Sequence, residues 1–146
     1  MNGMELLSDL LYAENNNDVI NSIRKISKAE LLYVFSFHYN WGNGFEIPQT
    51  ILDNENCDLG NALLLFYDAS GFNFLQDQRL IYNTGNFEFL KKLYNRILER
   101  DFNYSDIEYI PSLTNVQKYK LKRVNPEIHS IFLDGTIGKK INVSII

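Results

Sequence analysis

The residues best suited to chemistry lie in, or shortly after, the stretch FSFHYNWGNGFEIP at residues 35–48. His38, Glu46 and Asp58 are the residue types that act as general acids and bases or bind zinc. Together with Trp41 they define one hypothesis, a small enzyme or ligand-binding site at this turn. However, the chain has two histidines and no short His spacing, which argues against zinc. This favours a simpler role for His38, a hydrogen bond to a loop carbonyl.

The single cysteine, Cys57, suggests a second chemistry. A thiolate becomes nucleophilic when a nearby cation or base populates it, and His38 is one such base. A cysteine and a histidine occur together in many chains without forming a catalytic pair. We therefore interpret Cys57 as a small buried thiol beside a helix cap. Phosphate-binding GxxxxGK[ST], GxSxG, HExxH and paired CxxC motifs are absent. We therefore predict no cofactor, no metal and no catalytic residue, and an enzyme is the less favoured class.

The charges are unevenly distributed along the chain. The net charge is −4, but residues 1–117 carry sixteen acids and eight bases, whereas residues 118–146 carry two acids and six bases. No Lys or Arg lies between Lys28 and Arg79. We predict that four acids of this window form a binding face for a basic partner protein; they are Glu46, Asp53, Glu55 and Asp58. The alternative is a helix surface that happens to lack lysine.

A basic cluster near the C-terminus surrounds Tyr119. It consists of Lys118, Lys120, Lys122 and Arg123. Such residues contact phosphates in nucleic-acid-binding proteins, but in an acidic protein they are more typical of a solvated helix face, so we predict no nucleic-acid partner. Residues 1–30 lack a basic start followed by an apolar run, and no stretch predicts a membrane span. With the single cysteine, these features predict a soluble cytoplasmic protein.

Two segments of helical character carry almost no polar face and are expected at the centre of the fold. The first covers 28–39 and follows a Ser-x-x-Glu capping box that begins at Ser27. The second covers 59–69, with Asp58 as its cap and Gly71 at its end. Further helices are predicted from Met4, around Val19–Ile26, from Pro48, from Asn86 as a cap, and from a capping box at Thr114 to a stop at Pro126.

These patterns predict one compact, mainly α domain of about six helices over residues 1–146. Residues 72–85 show no clear preference for helix or strand. Residues 127–146 are rich in β-branched residues around Asp134 and Gly135, which leaves two options, a short β hairpin or a packed tail.

Several pieces of the sequence resemble a known family: YNWGNGFEIP, CDLGNALLLFY, LYNRIL, and VQKYKLKRVNPEI followed by FLDG. Over residues 30–135 the chain is similar to a bacterial family of domains of unknown function, family 4274. The residues that match the family's pattern are Asn40, Trp41, Gly44, Phe45, Pro48, Cys57, Asp58, Leu59 and Gly60. The family's turn usually reads Asn-Trp-Asp-Asp-Gly, whereas Gly42 and Asn43 occupy the two acidic places here.

The family has no assigned activity, so the resemblance implies no mechanism, and a structural role fits the matched residues. Asn40 and Gly44 would form the turn, and Trp41 and Phe45 would bury against the two apolar helices. For function, the first hypothesis is a non-enzymatic protein-binding domain of the bacterial cytoplasm, specifically an immunity-type inhibitor that blocks a basic toxin with its acidic face. The small enzyme or ligand-binding domain remains the alternative, and an inert structural module is a third reading.

Overall fold

A computed structural model describes residues 3–82 and 84–145. Within these ranges the chain forms nine α-helices, joined by loops and two short 3-10 helices. The α-helices are α1 (Gly3–Leu11), α2 (Asn16–Arg24), α3 (Ala29–His38), α4 (Glu46–Asp53), α5 (Leu59–Asp68), α6 (Gly71–Gln76), α7 (Gly85–Leu98), α8 (Asn115–Val124) and α9 (Ile131–Asp134). The 3-10 helices are Trp41–Asn43 and Gln78–Leu80.

The two apolar helices form the centre, as predicted. α3 packs against α1, α4 and α5, and α5 packs against α6 and α7 as well. Phe35 of α3 and Phe66 of α5 are almost fully buried. The mainly helical fold is therefore confirmed. None of the helices in the described ranges has the length and the apolar character needed to cross a membrane.

Two of the four predicted caps are confirmed. Asp58 accepts a hydrogen bond from the backbone N–H of Gly60 at 2.8 Å and begins α5. Thr114 and Gln117 form a complete capping box at the start of α8, because each side chain bonds the backbone N–H of the other residue. At both positions the capping side chain fixes the residue where the helix starts.

The other two caps were predicted wrongly, because a competing partner takes the side chain. The N-cap of α3 is Lys28, with no side-chain cap bond, and Glu30 instead pairs with Lys139 at 2.8 Å. Asn86 lies inside α7, and its Nδ2 donates to the carbonyl of Ala69 at 2.9 Å. Asn86 thus ties the start of α7 to the end of α5.

The C-terminal segment does not form the hairpin that was one of the two options. Residues around Asp134 form the short helix α9, and the chain after Gly135 pairs with the extended segment 104–109. The pairing consists of isolated bridges, Ile107 with Lys139 and Tyr109 with Thr136. The backbone groups of 104–109 are thus the partners of this segment, which packs as a tail over the helices.

The ambiguous stretch 72–85 contains α6, the second 3-10 helix and the start of α7, while residue 83 lies outside the described residues. Gly71 begins α6 instead of closing α5, which ends at Asp68. Both α6 and α9 are too short to show a helical period in the sequence, and for this reason the predicted number of helices was too low.

Candidate functional site

The turn at residues 39–46 is a packed aromatic corner. Trp41 lies edge-on to Tyr39, Phe45 and Phe89, with ring centroids 5.4, 6.0 and 5.9 Å apart. The Tyr39 hydroxyl donates to the carbonyl of Gly44 at 2.7 Å and closes the turn. The predicted packing partners were α3 and α5, but the ring contacts of Trp41 and Phe45 fall largely on Phe89 of α7. This corner joins the start of α4 to α7.

Backbone geometry accounts for three more of the family-pattern residues, in the corner and at the start of α4. The Oδ1 of Asn40 accepts from the N–H of Gly42 at 2.9 Å and starts the 3-10 helix. Gly44 has φ +91°, which side-chain-bearing residues rarely adopt. Pro48 lies in the first turn of α4, where its missing N–H costs nothing. These residues position the chain and carry no reactive group.

His38 bonds a carbonyl, as the sequence predicted. Its Nε2 lies 2.5 Å from the carbonyl oxygen of Val143, so this nitrogen donates and the bond fixes the ring tautomer. The carbonyl belongs to the C-terminal tail, which was not expected to reach α3. His38 therefore anchors the tail.

Three of the four residues of the enzyme or ligand-site hypothesis border different recesses. His38 borders a recess of about 40 Å³ beside α1 and α2. Glu46 borders a different recess between α4 and α7, and Asp58 a groove at the start of α3. Trp41 is half-buried in the corner and lines none of these three. In the described part of the chain no cluster of three His, Cys, Asp or Glu side chains is arranged to bind a metal.

Cys57 is the buried thiol that the sequence predicted. It is 1% exposed, and burial raises the pKa of its thiol far above the ordinary value. A protonated, enclosed thiol is a weak nucleophile.

Asp58 is a buried structural carboxylate, whereas the sequence placed it on the acidic face. It is 1% exposed, and its two oxygens accept from the backbone N–H groups of Gly60, Asp106 and Ile107 at 2.8, 2.6 and 3.3 Å. Burial raises the pKa of Asp58, while these three bonds act in the opposite direction. Gly60 lets the segment come close, because a Cβ there would lie 2.5 Å from the carbonyl oxygen of Ile107. Asp58 thus holds the start of α5 to the segment 104–109.

The other three predicted acids are exposed and lie on or directly after α4. Glu46 and Asp53 are seven residues apart on the same side of the helix, with Gln49 between them, and Glu55 follows the helix end. We call Glu46, Asp53 and Glu55 the acidic face. The fold thus leaves three of the four predicted acids exposed on or directly after one helix.

Two arginines from other helices border the acidic face. Arg96 of α7 binds Asp53 at 2.9 Å and Asp101 at 3.1 Å. Arg24 of α2 lines a groove with Asp53 and Glu55. Although this stretch of sequence lacks Lys and Arg, arginines from other helices therefore bring positive charge to its surface.

The basic cluster lies on α8, whose described side chains are mostly exposed, with Leu121 as the buried residue. Lys118 lies 3.9 Å from Asp134. Lys120, Lys122 and Arg123 are exposed. This is the solvated arrangement that the sequence favoured.

Sequence reasoning missed Asp68, the last residue of α5. Asp68 is an exposed residue, but the protein atoms around its carboxylate raise the pKa of Asp68 to about 6 through burial. Burial first, and the nearby Asp68 charge second, also raise the pKa of Tyr33 and of Tyr109. The position itself was a signal, because a negative charge at a helix C-terminus is unfavourable.

Replacing Asp68 with Asn is expected to change how stability depends on pH. An Asp side chain in the unfolded chain titrates near pH 3.9, so the folded protein binds the Asp68 proton more tightly. The stability that this tighter proton binding contributes is full below about pH 4. It is lost as pH rises through about 6. Asp68→Asn should therefore melt at a higher temperature than the parent at pH 7.5 and at the same temperature at pH 4, as measured by circular dichroism. The melting temperature of Asp9→Asn, an exposed control, should depend on pH as that of the parent does. If the melting temperatures of Asp68→Asn and the parent ran parallel over pH, the raised pKa of Asp68 would be contradicted.

The comparisons with known proteins identify one family. Residues 27–98 match the family described as a domain of unknown function, DUF4274. This confirms the resemblance over the corner, α4, α5 and α7, whereas residues 99–135 lie outside the match. No curated protein and no solved structure matches the chain.

Over residues 27–98 the chain is therefore similar to the DUF4274 family. Its matched region contains both the aromatic corner and the acidic face.

Proposed function

We propose that the protein is a non-enzymatic binding domain of the bacterial cytoplasm that takes a basic partner protein on its acidic face. In its specific form this is an immunity-type inhibitor that covers a basic toxin. The observation that supports the proposal is the exposure of Glu46, Asp53 and Glu55 on or directly after α4. Helix α4 presents Glu46 and Asp53 at fixed spacing, and Glu55 follows in the next turn, which suits recognition of a complementary positive surface.

The charges of the acidic face should act mainly on the rate of association. Exposed charges steer a partner of opposite sign, and salt screens them over about 8 Å at physiological ionic strength. Asp53 already pairs with Arg96, so a partner cation there competes with an internal one. Glu46 and Glu55 are therefore the better residues to change.

The first experiment is to co-express the protein with the products of neighbouring genes and to isolate stable complexes. The partner is then measured against a Glu46→Lys/Glu55→Lys variant at low and high salt by surface plasmon resonance. We expect the association rate at low salt to fall about tenfold or more, with the difference shrinking at high salt.

The matched control is Glu14→Lys/Glu127→Lys, which makes the same change of net charge at exposed positions off the acidic face. The association rate of this control at low salt should fall much less. The proposal is overturned if no neighbouring product binds, or if both double variants reduce association equally.

A further inference from the structure

We propose that the recess between α4 and α7 receives one Lys or Arg side chain of the basic partner. The inference rests on the proposed function and names the chemistry of one contact within it. The recess has a volume of about 270 Å³. Its lining combines two aromatic rings, Phe45 and Phe89, with two carboxylates, Glu46 and Glu88.

The aromatic floor of the recess is held in place from behind. The rings of Phe45 and Phe89 lie 5.2 Å apart at an interplanar angle of 32°. Trp41 meets both rings edge-on and supports them from within the corner. Gly85 packs closely against the Phe45 ring, because a Cβ there would lie 3.2 Å from its Cε2. The partner therefore meets a preformed surface.

The two carboxylates of the recess favour a positively charged side chain as the ligand. Glu46 begins α4, and Glu88 lies in the first turn of α7, so each wall carries one exposed carboxylate. A guanidinium or ammonium group on an alkyl chain satisfies both parts of the site, because its cation is attracted to aromatic faces and to carboxylates while its stem packs on the rings. A neutral or acidic side chain brings no positive charge to these carboxylates.

The recess also holds a cation of this chain at its edge. Lys92 lines it one helical turn after Glu88. A guest cation must share the carboxylates with Lys92 or displace it. Removing Lys92 should therefore strengthen guest binding, a gain of affinity that a general acidic surface does not explain.

The test uses a small probe that does not depend on finding the partner. N-acetyl-arginine methylamide is titrated into the labelled protein and followed by NMR at the Gly85 amide and the Trp41 indole N–H. N-acetyl-citrulline methylamide, which has nearly the same shape without the charge, is the reference probe. We expect saturable shifts at these positions for the arginine probe and much smaller ones for citrulline.

The variants form matched pairs on or directly after α7. Lys92→Met should tighten probe binding about threefold, whereas Lys91→Met, an exposed neighbour that does not line the recess, should leave it unchanged. Glu88→Gln should weaken binding by a similar factor, whereas Glu99→Gln should not. Equal effects of the two lysine variants, or no saturable shift, would overturn the inference.

The outcomes separate this inference from the proposed function. If the arginine probe binds the recess but no neighbouring product forms a complex, the proposed function fails and the site stands. If a partner complex responds to Glu46→Lys/Glu55→Lys but not to Lys92→Met or Glu88→Gln, the function stands and the recess is not its contact.

Discussion

The Gly135→Ala protein is expected to lose about 3 kcal/mol or more of its free energy of unfolding. Gly135 has φ 75° and ψ −152°, a conformation that is essentially restricted to glycine. Its Cβ would lie 1.9 Å from the carbonyl oxygen of Tyr109. That oxygen accepts the N–H of Thr136 at 2.9 Å, so the clash falls on the bond that joins the tail to the segment 104–109.

Gly44→Ala is the matched control for this prediction. Gly44 also has positive φ, but a Cβ there meets no atom within 4 Å, so the backbone conformation alone contributes, at about 1–2 kcal/mol. Both variants are measured by urea unfolding followed with circular dichroism. Equal losses would show that the close approach of Gly135 to Tyr109 does not contribute to stability.

The central helices were predictable because their sequences admit few alternatives. Phe35 and Phe66 lie in segments with almost no polar face, and such segments must be buried on all sides. Caps were less predictable, because a cap is only one of several hydrogen bonds open to a polar side chain. Glu30 pairs with Lys139 and Asn86 binds the carbonyl of Ala69, and both partners are distant in sequence.

For the charged residues of the candidate site, too, the sequence does not reveal partners that are distant along the chain. A stretch without Lys or Arg predicted an acidic face, and three exposed acids do lie on or directly after α4. The sequence cannot show that Arg96, far along the chain, returns to bind Asp53. Nor can it show that Asp58 meets the backbone of residues 106–107, since a helix cap and a surface acid have the same local sequence.

The Asp58→Ala variant should therefore lose stability and not only a binding charge. Truncation removes the acceptor for the N–H groups of Gly60, Asp106 and Ile107. The loss of a cap costs about 1 kcal/mol, and each buried donor left without a partner costs about 1–3 kcal/mol. We expect a total loss of about 3–5 kcal/mol in urea unfolding.

The Asp58→Asn and Glu55→Ala variants make this prediction specific. Asn keeps one oxygen for the cap of α5, but its NH₂ group then faces the N–H of Asp106, which binds the second carboxylate oxygen. An intermediate loss is expected. Glu55 is exposed, so Glu55→Ala should change stability by no more than about 0.5 kcal/mol. If Asp58→Ala instead unfolds like the parent while partner binding disappears, Asp58 belongs to the acidic face and its buried role is wrong. A large stability loss together with an unchanged Glu55→Ala protein places Asp58 in the scaffold that holds α5 to residues 104–109.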